Sequence, residues 1–268
     1  DANILFSPRV GVNWDVNGDR KTQVRGGTGI FTGKPAYVWI SNQVGNNGIL
    51  TGFERLDNTY KRPWNPNPNA YKPTSVSGTP ASNYELALTD PDFKFPQVWR
   101  SNIGIDQVLP YGFIGTAEFL YSKDVNGIYY INANLAAPNT AFSGVDNRPR
   151  WTVSNKINAK IDNAVVLKNQ DEGYYYSVTA ALEKPFRNGW YLKTAYNYGV
   201  ARNTVDAGSI AFGSWNNNQH SGNPNTPGVG YAATTPGHRF FAVGSFSFNY
   251  FDVGATTVTL FVDAATQG

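Results

Sequence analysis

The sequence predicts an all-β fold, an antiparallel transmembrane β-barrel segment of about eight strands in four hairpins with long loops at one end. Three observations carry this expectation: apolar and polar residues alternate with period two in four pairs of segments, tight turns alternate with long connections, and the composition is rich in aromatics and poor in charge.

The first segment places Phe6, Pro8, Val10, Val12 and Trp14 on one parity and Ser7, Arg9, Gly11, Asn13 and Asp15 on the other. Successive side chains of a strand point to opposite faces, so this is a strand with one apolar and one polar face. Asn17-Gly18 follows, a hairpin signal because both central residues of a type I′ turn need positive φ. The chain returns with Val24, Gly26, Thr28 and Ile30 opposing Gln23, Arg25, Gly27 and Gly29. In the second pair, Trp99, Ser101, Ile103 and Ile105 oppose Arg100, Asn102, Gly104 and Asp106; a turn at Leu109-Pro110-Tyr111-Gly112 leads back through Gly115, Ala117, Phe119 and Tyr121, opposing Thr116, Glu118 and Ser122.

The third pair sets Tyr176, Val178, Ala180 and Leu182 against Ser177, Thr179 and Glu183, turns between Pro185 and Gly189, and returns with Trp190, Leu192, Thr194, Tyr196 and Tyr198 against Lys193, Ala195 and Asn197. The fourth sets Phe240, Ala242, Gly244, Phe246 and Phe248 against Arg239, Ser245, Ser247 and Asn249, turns near Asp252 to Gly254, and returns with Val258, Leu260 and Val262 against Thr257, Thr259 and Asp263. Between the pairs run long connections, roughly Gly33 to Pro96, Lys123 to Asp171 and Asn203 to Gly237, rich in Pro, Asn and Gly and expected to be ordered but irregular. Short turns at one end and long loops at the other is the asymmetry of outer-membrane barrels. Trp14, Trp99, Tyr121, Trp190, Tyr198 and Tyr250 stand near strand ends, where a membrane girdle places aromatics.

Composition narrows the class further. Charged residues are 15% of the 268 and aromatics another 15%, against roughly 25% charge in an average soluble domain. A net charge of +3 on scattered Lys and Arg predicts no nucleic-acid partner. Without Cys there is no disulfide framework or thiolate metal site, and the absence of Met suggests an internal piece of a longer protein. No signal-peptide pattern opens the chain, and no apolar run is long enough to span a membrane as a helix. Negative mean hydropathy does not exclude a barrel, because lipid-facing residues alternate with polar ones.

Catalytic and metal-binding readings find little support in the residues. Asp15 to Asp19 matches the opening of a calcium loop, but Arg20 and Gly26 stand where Gly and a bidentate Glu are needed, so a hairpin turn is expected there. Gly29 to Lys34 departs from a phosphate-binding loop in spacing, and Pro35 replaces its Ser or Thr. His220 and His238 are the only histidines, too few for a transition-metal cluster or an obvious triad. Asp106 and Glu118 lie on polar faces of neighbouring strands, a pair a glycosidase would need; the simpler expectation makes them lumen charges together with Arg25, Arg100 and Lys193. No catalytic residue, metal or cofactor is expected, and the chain is expected not to be an enzyme. The loop aromatics Trp39, Trp64, Tyr71, Trp151, Trp215 and Tyr231 are the candidate ligand-binding residues, able to stack on a saccharide or contact a peptide.

The strings FSPRVGVNWDVNGDRKTQVRGGTGIFTGKPAYVWISNQ, FPQVWRSNIGIDQVLPYGFIGTAEFLYSKDVNGIYYINANL and LEKPFRNGWYLKTAYNYGVARN, with SWNNN and GHRFF after them, resemble the barrel region of TonB-dependent receptors of the Oar-like, OmpA-related type. The resemblance implies a barrel of about 22 strands with a plug inside, preceded by a small regulatory-like domain, in the outer membrane of a Gram-negative bacterium. It implies energy-coupled transport, contact with outer-membrane lipid, a link to the TonB complex through other parts of the protein, and a surface lipoprotein, peptide or saccharide as external partner. Residues 1–268 read as a single barrel segment in which no plug domain, TonB box or regulatory-like domain is recognisable. Two alternatives stay open: a small structural or adhesive outer-membrane barrel, and a soluble carbohydrate-binding β domain.

Overall fold

The alternating segments form strands, and their registers join into one surface. A computed structural model describes residues 3–45, 62–72, 84–152, 155–218, 222–250 and 252–266. Its strands are β1 (Arg9–Asp15), β2 (Thr22–Thr32), β3 (Tyr84–Thr89), β4 (Gln97–Val108), β5 (Ile114–Asp124), β6 (Gly127–Asn132), β7 (Thr140–Ala141), β8 (Pro149–Arg150), β9 (Ile161–Gln170), β10 (Tyr174–Arg187), β11 (Trp190–Asn203), β12 (Gly230–Tyr231), β13 (Gly237–Tyr250) and β14 (Gly254–Ala265). Two short helices, α1 (Tyr37–Ser41) and α2 (Ala211–Asn216), lie in the long connections. None of the described helices is long and apolar enough to cross a membrane.

The main sheet runs β1-β2-β4-β5-β10-β11-β13-β14, every pair antiparallel, with the short β12 added to β11. Val12 stands opposite Gly26, Gly26 opposite Ile103, Ile103 opposite Phe119, Phe119 opposite Val178 and Val178 opposite Tyr198. Tyr196 then faces Phe240, and Ala242 faces Val262. All eight apolar parities therefore share one face; a one-residue slip at any pair would have broken it. Among the described residues nothing covers that face: Leu260 is 72% exposed, Val10 68% and Ile103 59%.

The turns at the short end show how local residues set the register. At Asn188-Gly189 both residues have positive φ, 54° and 82°, which marks the tight hairpin turn, so β10 continues past Pro185 to Arg187 instead of turning there. A bulge between Lys184 and Arg187 accommodates Pro185, which has no N–H to give the ladder, and shifts the pairing by one. The shift sets Glu183 opposite Lys193, where an unbulged ladder would have set Lys184 there and opposed two cations. The expected two-residue turn at Asn17-Gly18 is replaced by a six-residue loop, residues 16–21, with positive φ at Gly18 and Arg20. The Asp15 carboxylate organises it by accepting the N–H groups of Gly18 (3.1 Å) and Arg20 (2.9 Å). A side-chain acceptor here gives the backbone an alternative to the I′ ladder.

The long connections are more regular than their composition suggests. β6 continues β5 and β9 leads into β10, so the β5–β10 pairing extends well beyond the main sheet as β6 against β9, with β3 added parallel to β9. The expectation of an irregular Lys123 to Asp171 loop is corrected accordingly. Tyr130, Val165, Leu167, Val205 and Ala211 form a buried core between this second sheet and α2, with Trp39, Phe93, Phe212 and Trp215 packed against it. This cap at the long-loop end holds the described hydrophobic core cluster, while the main sheet buries little on its apolar face.

Side-chain amides close the cap where its backbone runs out of partners. Asn225 presents its Oδ1 to the Asn132 N–H (2.7 Å) and its Nδ2 to the Asn132 carbonyl (2.9 Å), acting as a one-residue strand on the free edge of β6. The Trp215 indole donates to the same Oδ1 at 3.0 Å. Asn169 does likewise for Lys94, accepting its N–H at 2.7 Å and donating to its carbonyl at 2.9 Å. Buried backbone groups must be paired, and short amide side chains can supply the pairing without a full strand.

Candidate functional site

On the polar face of the main sheet, Arg25 bridges two strands. Its Nε donates to Asp106 at 2.9 Å and its Nη1 to Glu118 at 2.6 Å. Arg25 on β2, Gly104 on β4 and Glu118 on β5 share one cross-strand row. Gly104 leaves room where the guanidinium crosses β4: a Cβ there would stand 3.3 Å from the Arg25 Cζ, a tight contact. Thr116 donates to the other oxygen of Asp106 at 2.6 Å. Side-chain exposures of 36%, 29% and 28% for Arg25, Asp106 and Glu118 leave the cluster partly wet. Both carboxylates are held by one cation, the simpler of the two sequence expectations for them.

The remaining expected lumen charges share this face. Lys193 pairs with Glu183 at 3.0 Å. Arg100 lies 5.8 Å from the centre of the Phe31 ring, with Arg9 nearer at 4.5 Å, so a ring contact takes the place of the carboxylate pairing expected for it. Sequence reading missed the Arg239–Asp263 pair, bidentate at 3.0 and 2.7 Å, although both residues were assigned to polar parities. It also missed the Glu183–Lys193 contact, because the bulge decides their register. Hydroxyl and amide bonds continue the lining, Asn197 to Thr179 at 2.8 Å and Ser245 with Thr259 at 2.9 Å.

The opposite face carries aromatics in two rows. Near the short turns, Trp190 packs on Phe246 with ring centres 4.7 Å apart, and Phe248 and Tyr250 extend the row. Toward the long loops, Trp99 meets Tyr121 at 6.0 Å, Tyr176 meets Tyr198 at 6.5 Å, and His238 joins Tyr198 at 4.7 Å. His238 also hydrogen-bonds the Tyr196 hydroxyl, 2.6 Å from its Nδ1. Between Trp190 and Tyr198 the strand runs roughly 26 Å at about 3.3 Å per residue, which at a tilt of about 40° is about 20 Å along the barrel axis, somewhat less than the roughly 25 Å apolar band of a transmembrane barrel. His220 lies outside the described residues.

The candidate ligand-binding aromatics separate into two groups. Trp39 and Trp215 pack against the cap core; the Trp39 Nε1 is buried with no partner among the described residues. Trp151 is partly buried and donates to the Ala136 carbonyl at 2.8 Å. Trp64 is 86% exposed, and Tyr71 is exposed with its hydroxyl on the Pro63 carbonyl at 2.8 Å. Tyr231 is 67% exposed, with the Arg202 guanidinium 4.1 Å from its ring centre. The six are spread over the loops and do not form one aromatic platform.

Several clefts lie at this end, two of which border sequence-predicted aromatics. One, about 360 Å³, opens where the cap meets the polar face, between Trp39 and the polar-face residues Val98, Ser122, Asp124 and Tyr175. The Asp124 carboxylate is seated over Gly127 and Gly173, either of which would overlap it with a Cβ, and accepts from Gln170 at 3.1 Å. The other, about 430 Å³, is lined by the segment after β11, by α2 and by Tyr231.

A family model described as an outer membrane beta barrel domain matches residues 2–268. Among solved structures, a mutant of the ferric enterobactin receptor from Pseudomonas aeruginosa is similar over 95% of this chain, at 12% identity and a TM-score of 0.45; the chain spans 27% of that receptor's length. No curated protein sequence matches the chain.

Proposed function

The chain belongs to the outer membrane β-barrel domain family, and from that premise we propose that it forms part of the wall of a larger barrel, a TonB-dependent receptor of the Oar-like type. The observation that carries this reading is the open sheet: β1 and β14 end it, and neither has a second partner among the described residues. In hydrocarbon an unpaired strand edge leaves backbone N–H and C=O groups unsatisfied, at several kcal/mol each. In this reading other strands complete both edges. A barrel wider than eight strands encloses a space that side chains do not fill, so a polar lining becomes a route instead of a core.

In this reading the apolar face meets lipid and the two aromatic rows mark its interfaces. The Arg25–Asp106–Glu118 cluster, with one cation for two carboxylates, and the one-to-one Lys193–Glu183 and Arg239–Asp263 pairs line the passage, fixed to the strands. The cap and its clefts face the exterior and capture the solute. Movement is driven by the TonB complex acting on a plug carried by other parts of the protein, and the wall itself performs no catalysis.

The test is a cysteine pair, Val12→Cys with Leu260→Cys, oxidised in the intact protein in its outer membrane. Val12→Cys with Gly26→Cys, on strands already paired, serves as the positive control. We expect the control pair to cross-link and the edge pair not to. An edge-pair disulfide within one chain would establish self-closure, overturn the wall reading and leave a small structural or adhesive barrel.

A further inference from the structure

We propose that the cleft beside Tyr231 is a binding site for a neutral saccharide. This deepens the reading of the loops as the capturing end and rests on it. The cleft of about 430 Å³ falls in the size range of small-ligand sites. Its one aromatic wall is Tyr231, held by Arg202 at 4.1 Å from the ring centre yet 67% exposed. A ring braced on one side and open on the other is the surface on which the C–H face of a pyranose packs.

The other walls supply the hydroxyl-binding chemistry. Asp206 is fixed by the Asn203 amide at 2.6 Å and by the Ala233 N–H at 2.9 Å, one bond to each oxygen. A carboxylate can accept about four hydrogen bonds, so acceptor positions remain for sugar hydroxyls. The amides of Asn203 and Asn217 line the same space. Thr204 also lines it, is 5% exposed, and its hydroxyl has no partner among the described residues. Around Gly208, Gly228 and Gly230 there is nothing within 4 Å of an added Cβ, which leaves the approach open.

The same features disfavour other solutes. Carboxylate acceptors without a cluster of cations do not suit an anion, and the single aromatic offers little to a lipid tail. β12 is two residues long, too short an edge for a peptide to add as a strand.

The intact protein, extracted in a detergent without a sugar head group, is titrated calorimetrically with glucose, galactose, N-acetylglucosamine, maltose and cellobiose. At least one should bind saturably, with Tyr231→Ala weakening it about tenfold, Tyr231→Phe leaving it unchanged and Trp64→Ala having no effect. Barrel folding of each variant is checked by its heat-dependent gel mobility. Absence of saturable binding by all five sugars, or binding that survives Tyr231→Ala in a folded protein, overturns the proposal. Either failure is distinguishable from failure of the wall reading, which the edge-pair cross-link decides.

Discussion

Replacing Ile103 by arginine tests the assignment of the two faces. Ile103 lies on the apolar face between Gly26 and Phe119 and is 59% exposed. It is four residues from Trp99 in the upper aromatic row, about 13 Å along β4, and so near the middle of the apolar band. An arginine at the mid-plane of a transmembrane barrel costs about 2–4 kcal/mol, falling to about 0–1 near the interfaces. Ile103→Arg should therefore shift the folding equilibrium by about 30- to 700-fold. Asn102→Arg, one residue away but on the polar face, should stay within about 0.5 kcal/mol, and Trp99→Arg should lose its ring contact but little through charge. The measurement is denaturant unfolding in lipid vesicles, followed by tryptophan fluorescence. Equal costs for Ile103→Arg and Asn102→Arg would refute the face assignment, and with it the membrane span.

Other perturbations address the polar lining and the cap. Arg25→Leu leaves Asp106 and Glu118 without their cation and should cost about 1–3 kcal/mol, discounted because the cluster is partly wet. Gly104→Val should displace the guanidinium by crowding its path, and the two substitutions together should cost less than their sum in the same unfolding assay. Asn225→Ala removes the bonds to both backbone groups of Asn132 and to Trp215, about 1.5–4.5 kcal/mol at about 0.5–1.5 per bond; hydrogen exchange should accelerate at Asn132 while the main sheet keeps its protection. In the cap, the hydrogen bond from Lys168 lowers the Asp90 carboxyl below the usual aspartate range. A depressed pKa contributes stability above the unfolded value and loses it as pH falls through the folded one. Protection of the β3–β9 pairing should thus fall below about pH 4, and Asp90→Asn should remove that pH dependence.

The hairpins were legible because alternation is local: a strand in two environments must change polarity at every residue, and Val10, Val12 and Trp14 already declare a face. The charges of the polar face were legible by parity for the same reason, and Arg25, Asp106 and Glu118 do meet. What parity does not carry is register. Glu183 faces Lys193 only because a bulge at Pro185 shifts the ladder, and Arg25 reaches Glu118 across Gly104, where an added Cβ would be tight against the guanidinium. The loop aromatics were the weakest ground, since an exposed platform and a core side chain look alike in composition. Trp215 packs inward beside Asn225 and Tyr231 stays out beside Arg202.

By itself, then, the amino-acid order determined the eight long strands of the main sheet, their two faces, the end that carries the long connections and the residues of the polar side. Each follows from the two-residue period of a strand and from turn chemistry, which act over a few bonds. Only the tertiary structure decided that the connections fold into a second sheet with its own core, that asparagine side chains stand in for absent strands, that both ends of the main sheet are open, and that one tyrosine borders a polar cleft. These depend on contacts between residues as far apart as Asn132 and Asn225, where pairing competes among many similar polar groups and no local pattern selects the partner.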